Sequence, residues 1–441
     1  MQKFKVLSSK KQRKSDKSVR VLFPRDIYEM MRAAFIASEA SSREGYAVAQ
    51  CGLMADGSRK NWTYIVRSLH VPAAGDIVEQ SSITVTPRAE FMEAVLSDAA
   101  LKNNVIVEIH THVGSSEPNF SWVDIENGLE NGRFLKACGM RFAMAVVGSE
   151  GFSICEYDSD HDALQTPGNA RVSIIGRGGV KDVIFHRSGS SCQIPQIENM
   201  RVSIVGMGGV GFGIAGTLAG MGVRKFILYD EGIVDDSVPD VLPFTAEKGK
   251  KRTKAALNML KKISGDMEVT QVSDARSLKA ALKDADVIFK CGSDEDIKIL
   301  LNEVSLKYFI PCIEARTFTK SMGSGPYGLV RVYMPSATGC IGCFADEPDG
   351  PACGADASTI AVNSVVSSMA VQEFLDLVSG CGQGNKAYDH IEYDPSTQLA
   401  ERKSSGRREA CPMCGKDGIL GAGDERKQTA KAPRIRKAKK E

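Results

Sequence analysis

The sequence predicts two domains of different class, an α+β domain followed by an α/β domain built on a parallel sheet. Two observations predict this. At 441 residues the chain exceeds what one typical core holds, and length suggests two to three domains. Residues 21–162 mix helical and strand patterns irregularly, whereas residues 195–420 alternate apolar strand with helix, the mark of βαβ units. Hydrophobic content of 43% with a net charge of +2 fits a soluble globular protein. No run of about 18 apolar residues exists, so no membrane partner is expected.

Taken in order, residues 1–20 are basic and poor in large apolar groups, which predicts a disordered N-terminus. No apolar segment with a cleavage site follows, so a secretory signal is not expected. "RDIYEMMRAAFIASEA" reads as a helix, "GYAVAQCGLM" and "NWTYIVRSLHV" as strands, "RAEFMEAVLSDAALK" as a helix and "NVIVEIHTHV" as a strand. A helix follows Ser121, and "RFAMAVVG" and "GFSICEYD" close the domain as strands. Residues 163–194 read as a linker and hairpin, and the basic stretch 421–441 as a second disordered tail. Without interleaved aromatics, these tails do not predict a nucleic-acid partner. Twelve cysteines, several as Cys-x-x-Cys, fit metal binding in a reducing compartment, and a cytosolic protein is expected.

The chemistry of the first domain lies in "EIHTHVGSSEPNFSWVDIENG". His110 and His112 project from one side of a strand, and Asp124 arrives from the helix after Ser121. Two imidazoles and a carboxylate with a fourth position open suit a catalytic zinc. His-x-His, eight residues, then Ser-x-x-Asp resembles the motif of the JAMM (MPN) metalloproteases, whose fold is cytidine deaminase-like. The resemblance implies that His110, His112 and Asp124 bind zinc and that Ser121 donates to the developing oxyanion. It also implies a Glu base before "YAVAQCGLM", a place that Glu44 occupies, with Glu39 as the alternative. The spacing of eight departs from the seven common in that family, which predicts a local difference in the intervening loop.

In the second domain a near-repeat, "RVSIIGRGGV" at 171 and "RVSIVGMGGVGFG" at 201, poses the question of which copy cradles phosphate. A phosphate loop needs a strand, a glycine turn and a helix N-terminus. Gly206, Gly208, Gly209 and Gly211 are followed by the small-residue helical stretch "FGIAGTLAGMG" and an apolar strand ending at Asp230, so the later copy qualifies. The earlier copy leads into the β-rich "VKDVIFHR" and reads as a hairpin. Cys340 and Cys343, with Cys411 and Cys414, form two knuckles that predict a closed structural zinc site.

With the strand and acidic turn of "DADVIFKCGSDEDIKILL", these features resemble the Rossmann-like ThiF/MoeB and ubiquitin-activating adenylyltransferases, over about residues 183–416. The resemblance implies ATP and magnesium as cofactors. The glycines would shape the ATP loop, Asp230 would hold the ribose and Asp294 would associate with magnesium. The phosphate-binding Lys falls on Arg252, with Lys250 or Lys251 as alternatives. Arg187 matches an arginine that reaches a partner subunit's ATP, and Cys353 lies where several members carry a thioester or persulfide cysteine. One departure concerns "DEGIVDDSVPDVLPF", where Gly232, Val238 and Val241 stand in place of an Asp, an Asn and an Arg. Together the two resemblances imply a homodimeric enzyme that cleaves beyond, and adenylates, the terminal glycine of a ubiquitin-like or sulfur-carrier protein. The alternative is a zinc isopeptidase whose second domain only binds that partner.

Overall fold

The computed structural model describes residues 12–56, 61–102, 104–114, 118–148, 151–176, 179–182, 197–234, 247–292, 294–319, 326–344, 360–379, 389–404 and 406–424. They fall into two compact units, the first within 12–174 together with 181–182 and 421–424, the second within 175–180 and 197–420.

The first unit begins with β1 (Gln12–Pro24), α1 (Arg25–Ala40), β2 (Tyr46–Ala55) and β3 (Asn61–His70). Next come β4 (Ile77–Gln80), β5 (Val85–Pro87), α2 (Ala89–Leu101), β6 (Val105–Thr111) and α3 (Trp122–Ala137). Strands β7 (Phe142–Gly148), β8 (Gly151–Asp158), β9 (Ala163–Gly176) and β10 (Gly179–Asp182) follow, with residues 175–180 of the last two grouped with the second unit. The main sheet runs β1-β3-β2-β6-β7-β8-β9-β10, and a further pairing of β1 with β9 closes it on itself. Successive side chains of a strand face opposite ways, and each face here has its own core. Ala47, Ala49, Val107 and Ile109 pack with Tyr28, Met31 and Phe35 of α1. Val48, Ile106 and Met144 pack with Val95 and Leu96 of α2 and Leu129 of α3. His110, one residue beyond Ile109, therefore faces the α2–α3 side.

Three boundaries differ from the expectation. Part of the basic N-terminus is structured, since Ser18–Leu22 of β1 pair in parallel with Asn61–Ile65 and Val19 is buried. The segment read as a linker from 163 opens β9, whose Ala163–Gln165 pair with Glu156–Asp158; buried Ala163 and Leu164 supply the apolar anchor. Residues 421–424 of the expected tail are also ordered: Gly423 bridges Leu53, and the Asp424 carboxylate accepts from the Ala55 N–H at 3.2 Å.

The second unit contains β11 (Arg201–Val205), α4 (Gly209–Gly220), β12 (Lys225–Tyr229), α5 (Arg252–Ile263), β13 (Glu268–Val272) and α6 (Ala275–Leu282). It continues with β14 (Val287–Lys290), α7 (Glu295–Tyr308), β15 (Cys312–Thr319), β16 (Pro326–Tyr333), α8 (Ile360–Ser379), β17 (His390–Asp394) and β18 (Leu399–Lys403). Its sheet runs β13-β12-β11-β14-β15-β16-β17-β18, parallel through β15 and antiparallel beyond. Val202, Ile204, Val287 and Phe289 pack under α4, α5 and α8, while α6 and α7 cover the other face. On that second face Lys290 and Glu314 are cross-strand neighbours 2.7 Å apart and almost fully buried, and the Tyr333 hydroxyl donates to Glu314 at 2.5 Å. The strand order reverses direction between β11 and β14, which opens a crevice at their C-terminal ends.

Candidate active sites

A cleft of about 710 Å³ in the first unit is lined by Glu44, His110, His112, Ser121 and Asp124, so residues far apart in sequence converge there. His110 lies on β6, and β2 pairs Tyr46 with it, which brings Glu44 alongside. Ser121 caps α3: its Oγ accepts from the Asp124 N–H at 3.1 Å, and its own N–H donates to the Asp124 carboxylate at 2.6 Å. This capping box turns Asp124 toward the imidazoles. The edges are 3.2 Å between the two Nε2 atoms, 3.1 Å from His110 to Asp124 and 3.2 Å from His112 to Asp124. The His110 contact is to Oδ1 and the His112 contact to Oδ2, and one donor atom from each of the three residues lies within 4.8 Å of the others, close enough for a single metal ion such as zinc, whose ligands lie at ~2.0–2.2 Å, to be held between them.

Electrostatics follow this convergence. Burial pushes the Asp124 carboxyl up, but hydrogen bonds from His110 and His112 overcome it and hold the group far below the carboxylate range. The same bond raises His112. Glu44 is 6% exposed, and its carboxyl is raised by burial, against the lowering pull of His112 and His110. Glu39, the alternative base, lies on the exposed side of α1. Sequence reading missed Glu108 and Asn131. Glu108 shares the β6 face of His110, lines the cleft, and is pushed up to about 7 by burial. Asn131 donates to both of its oxygens at 3.2 Å. The alternation of "EIHTH" and the seven-residue step from Asp124 to Asn131 were the available signals.

In the second unit the glycine loop follows β11 at the switch point, as the later copy of the repeat predicts. Gly206 has φ +99°, and a Cβ there would meet the Gly292 nitrogen at 2.5 Å, so only glycine fits between the ends of β11 and β14. A Cβ on Gly211 would strike the Gly206 carbonyl, whereas the space beside Gly208, the N-cap of α4, is open. Gly209 opens that helix, so its first N–H groups face the crevice. Asp230 fastens the loop: its carboxylate accepts from Met207 N–H at 2.6 Å and from Gly232 N–H at 2.7 Å. Asp294 is the N-cap of α7, using one oxygen to accept from Ile297 N–H at 2.8 Å.

Two of the three expected phosphate cations have side-chain partners. Arg252 lies 3.9 Å from Asp230 and donates through Nε to the Ile233 carbonyl at 3.1 Å. Lys250 pairs with Glu247 at 2.9 Å, and Lys251 is the N-cap of α5. Arg187 and Cys353 lie outside the described residues, as do Val238 and Val241.

The four cysteines meet. Sulfur separations are 3.9 Å for Cys340–Cys343, 3.8 Å for Cys340–Cys411 and 3.5 Å for Cys343–Cys414, and all four are buried. A tetrahedral zinc–thiolate site with bonds of ~2.3 Å implies edges of ~3.8 Å, so this set also fits zinc. Hydrogen bonding from Cys340 holds the Cys414 thiol well below its ordinary value, which readies a thiolate ligand.

A parallel sheet whose order reverses beside a glycine loop and helix N-terminus defines a nucleotide-binding α/β unit. Residues 183–413 match the ThiF family, more than half of the chain, and the chain belongs to that family. It is similar to the HesA protein of Leptolyngbya boryana, 29% identical over 178 residues, which are 38% of this chain and 62% of that protein. The match thus spans less than two thirds of that relative's length. Among solved structures it resembles E. coli MccB crystallised with ATP, at 18% identity and TM-score 0.42, covering 50% of this chain and 68% of that one. PaaA is similar at 16% identity and TM-score 0.39, covering 48% and 66%.

Proposed function

We propose that the chain is a two-site cytosolic enzyme acting on the C-terminal glycine of a ubiquitin-like or sulfur-carrier protein. Its first unit hydrolyses the peptide or isopeptide bond beyond that glycine, and its ThiF unit adenylates the freed carboxylate with ATP and magnesium. The observation that carries the reading is the convergence of His110, His112 and Asp124 within metal-ligating reach of one another, with Glu44 and Ser121 in the same cleft and a ThiF unit in the same chain.

A zinc ion held by those three residues would supply Lewis acidity, lowering the pKa of a water toward ~7 and polarising the scissile carbonyl. Glu44, buried with a raised carboxyl pKa, is suited to take a proton from water and return it to the leaving amine. Ser121 spends an oxygen lone pair on the Asp124 N–H, which leaves its O–H to donate to the carbonyl oxygen as charge develops there.

In the ThiF unit a terminal carboxylate oxygen attacks the α-phosphorus of ATP, a new P–O bond forms, and the α–β bridge breaks to release pyrophosphate. The N–H groups at the start of α4 would hold the phosphates, Asp230 the ribose, and Asp294 magnesium. Zinc on the four cysteines would be structural, and the ThiF units would form the homodimer.

A second reading rests on the engagement of Arg252 with Ile233 and of Lys250 with Glu247. On this reading those partners compete with phosphate for the two cations, and the ThiF unit binds the partner's tail without activating it. ATP–pyrophosphate exchange with a ubiquitin-like protein separates the two: exchange abolished by Asp294→Ala supports activation, and tail binding with no exchange supports the second reading. Tail cleavage is followed by mass spectrometry in parallel; cleavage unchanged in His112→Ala refutes the protease assignment.

A further inference from the structure

We propose that Glu108 and Asn131 form a strut that positions Asp124 as a metal ligand; the inference rests on the protease reading of the same cleft. Asp124 sits in the first turn of α3, and Asn131 lies seven residues on, two turns along the same helix face and ~10.5 Å farther down the axis. On β6, Glu108 shares a face with His110. From Glu108 to the midpoint of the two histidines is three strand residues, ~10 Å. The helix and strand spans therefore match, and α3 is tied to the β6 segment at two points. Asp124 meets His110 and His112 at 3.1 and 3.2 Å, and Asn131 meets both Glu108 oxygens at 3.2 Å.

On the helix side both ties use short side chains, Asp124 and Asn131, which reach only if the helix lies close to the sheet. Gly128 and Gly132, one turn apart, let it do so: a Cβ on Gly128 would strike Met144 of β7, and one on Gly132 would strike the Tyr157 ring of β8. A helix fixed only at its capped first turn could pivot about that turn. The second tie, seven residues away, removes the pivot, so the Asp124 carboxylate stays where the imidazoles converge. Neither Glu108 nor Asn131 is a metal ligand in this arrangement; they act through Asp124.

The test is zinc affinity of the full-length protein, measured by competition with a chromophoric chelator. The phase lost in His112→Ala belongs to the cleft, and the phase lost in Cys411→Ser belongs to the four-cysteine site. Asn131→Ala and Glu108→Ala should each weaken the cleft phase on the order of 10- to 100-fold, as for other outer-shell partners, and leave the thiolate phase unchanged. The double variant should lose no more than either single one, because both remove the same tie. Glu108→Gln keeps an acceptor for Asn131 and should bind within a few-fold of the parent. Parent-like affinity in both alanine variants, or losses that multiply, would overturn the strut. A parent protein with only the thiolate phase would instead remove the protease reading on which the strut rests.

Discussion

Two residues show how much of this protein hangs on single side chains. Burial alone would raise the Glu314 carboxyl, but Lys290 and Arg316 override it and hold it at about 2. An unfolded glutamate titrates near ~4.3, so the folded pKa is depressed; the stability this pair contributes is present above ~4.3 and lost as pH falls toward the folded value. Glu314→Gln should abolish that acid transition and, by leaving Lys290 buried without its carboxylate, cost about 3–5 kcal/mol in denaturant titrations at neutral pH. Gly206 is the second case. Gly206→Ala forces a side chain into positive φ and against Gly292, and should cost about 1–3 kcal/mol. It should also abolish the rise in melting temperature on adding ATP and magnesium. The convergence of His110, His112 and Asp124 was legible in the sequence, because the two histidines are spaced to face one side of a strand and Asp124 stands three residues after the helix cap Ser121. Lys290–Glu314 and Glu108–Asn131 were not, since each joins residues 23–24 apart whose meeting depends on register or helix docking.

At the scale of elements, α3 is the part on which the cleft depends. Its N-terminus carries the capping box, its middle the glycine seam, and its second half Asn131. Gly128→Ala places a methyl against Met144 and should destabilise the first unit by about 1–3 kcal/mol, read as a lower midpoint in thermal unfolding. On the proposed reading, Asp124 moves with the helix, so zinc should dissociate faster from the cleft in this variant, followed by stopped-flow chelation. The helices and strands of both units were largely readable from periodicity, and so was the choice between the two glycine repeats, since only the later is followed by α4. The strand at Gln12–Pro24 was hidden, because a Lys- and Arg-rich segment gives no alternating apolar signal until Val19.

For the whole molecule, the sequence announced two units but not their boundaries. The first unit is discontinuous: residues 421–424 lie along β2 beyond the end of its pairing with β6, at Leu53–Ala55. The Asp424 N–H donates to the Leu53 carbonyl at 2.8 Å, and the Asp424 carboxylate accepts from Ala55. Deleting residues from 421 onward should cost about 0.5–1.5 kcal/mol for each of these two bonds. Faster hydrogen exchange at the Ala55 amide, with the nucleotide crevice unaffected, is the measurement that checks it. No turn residue or hydrophobic run marks a four-residue tie between segments 370 positions apart, which is why pattern reading placed it in a tail.

That tie also orders events during synthesis. Leu53 leaves the ribosome 370 residues ahead of Gly423, an interval of roughly 20–70 s at ~5–20 residues per second. Throughout it the end of β2 presents open backbone groups while the entire ThiF unit is being made. Slower translation lengthens that wait, and the yield of correctly paired first unit should fall with it, a dependence that expression at different translation rates would measure.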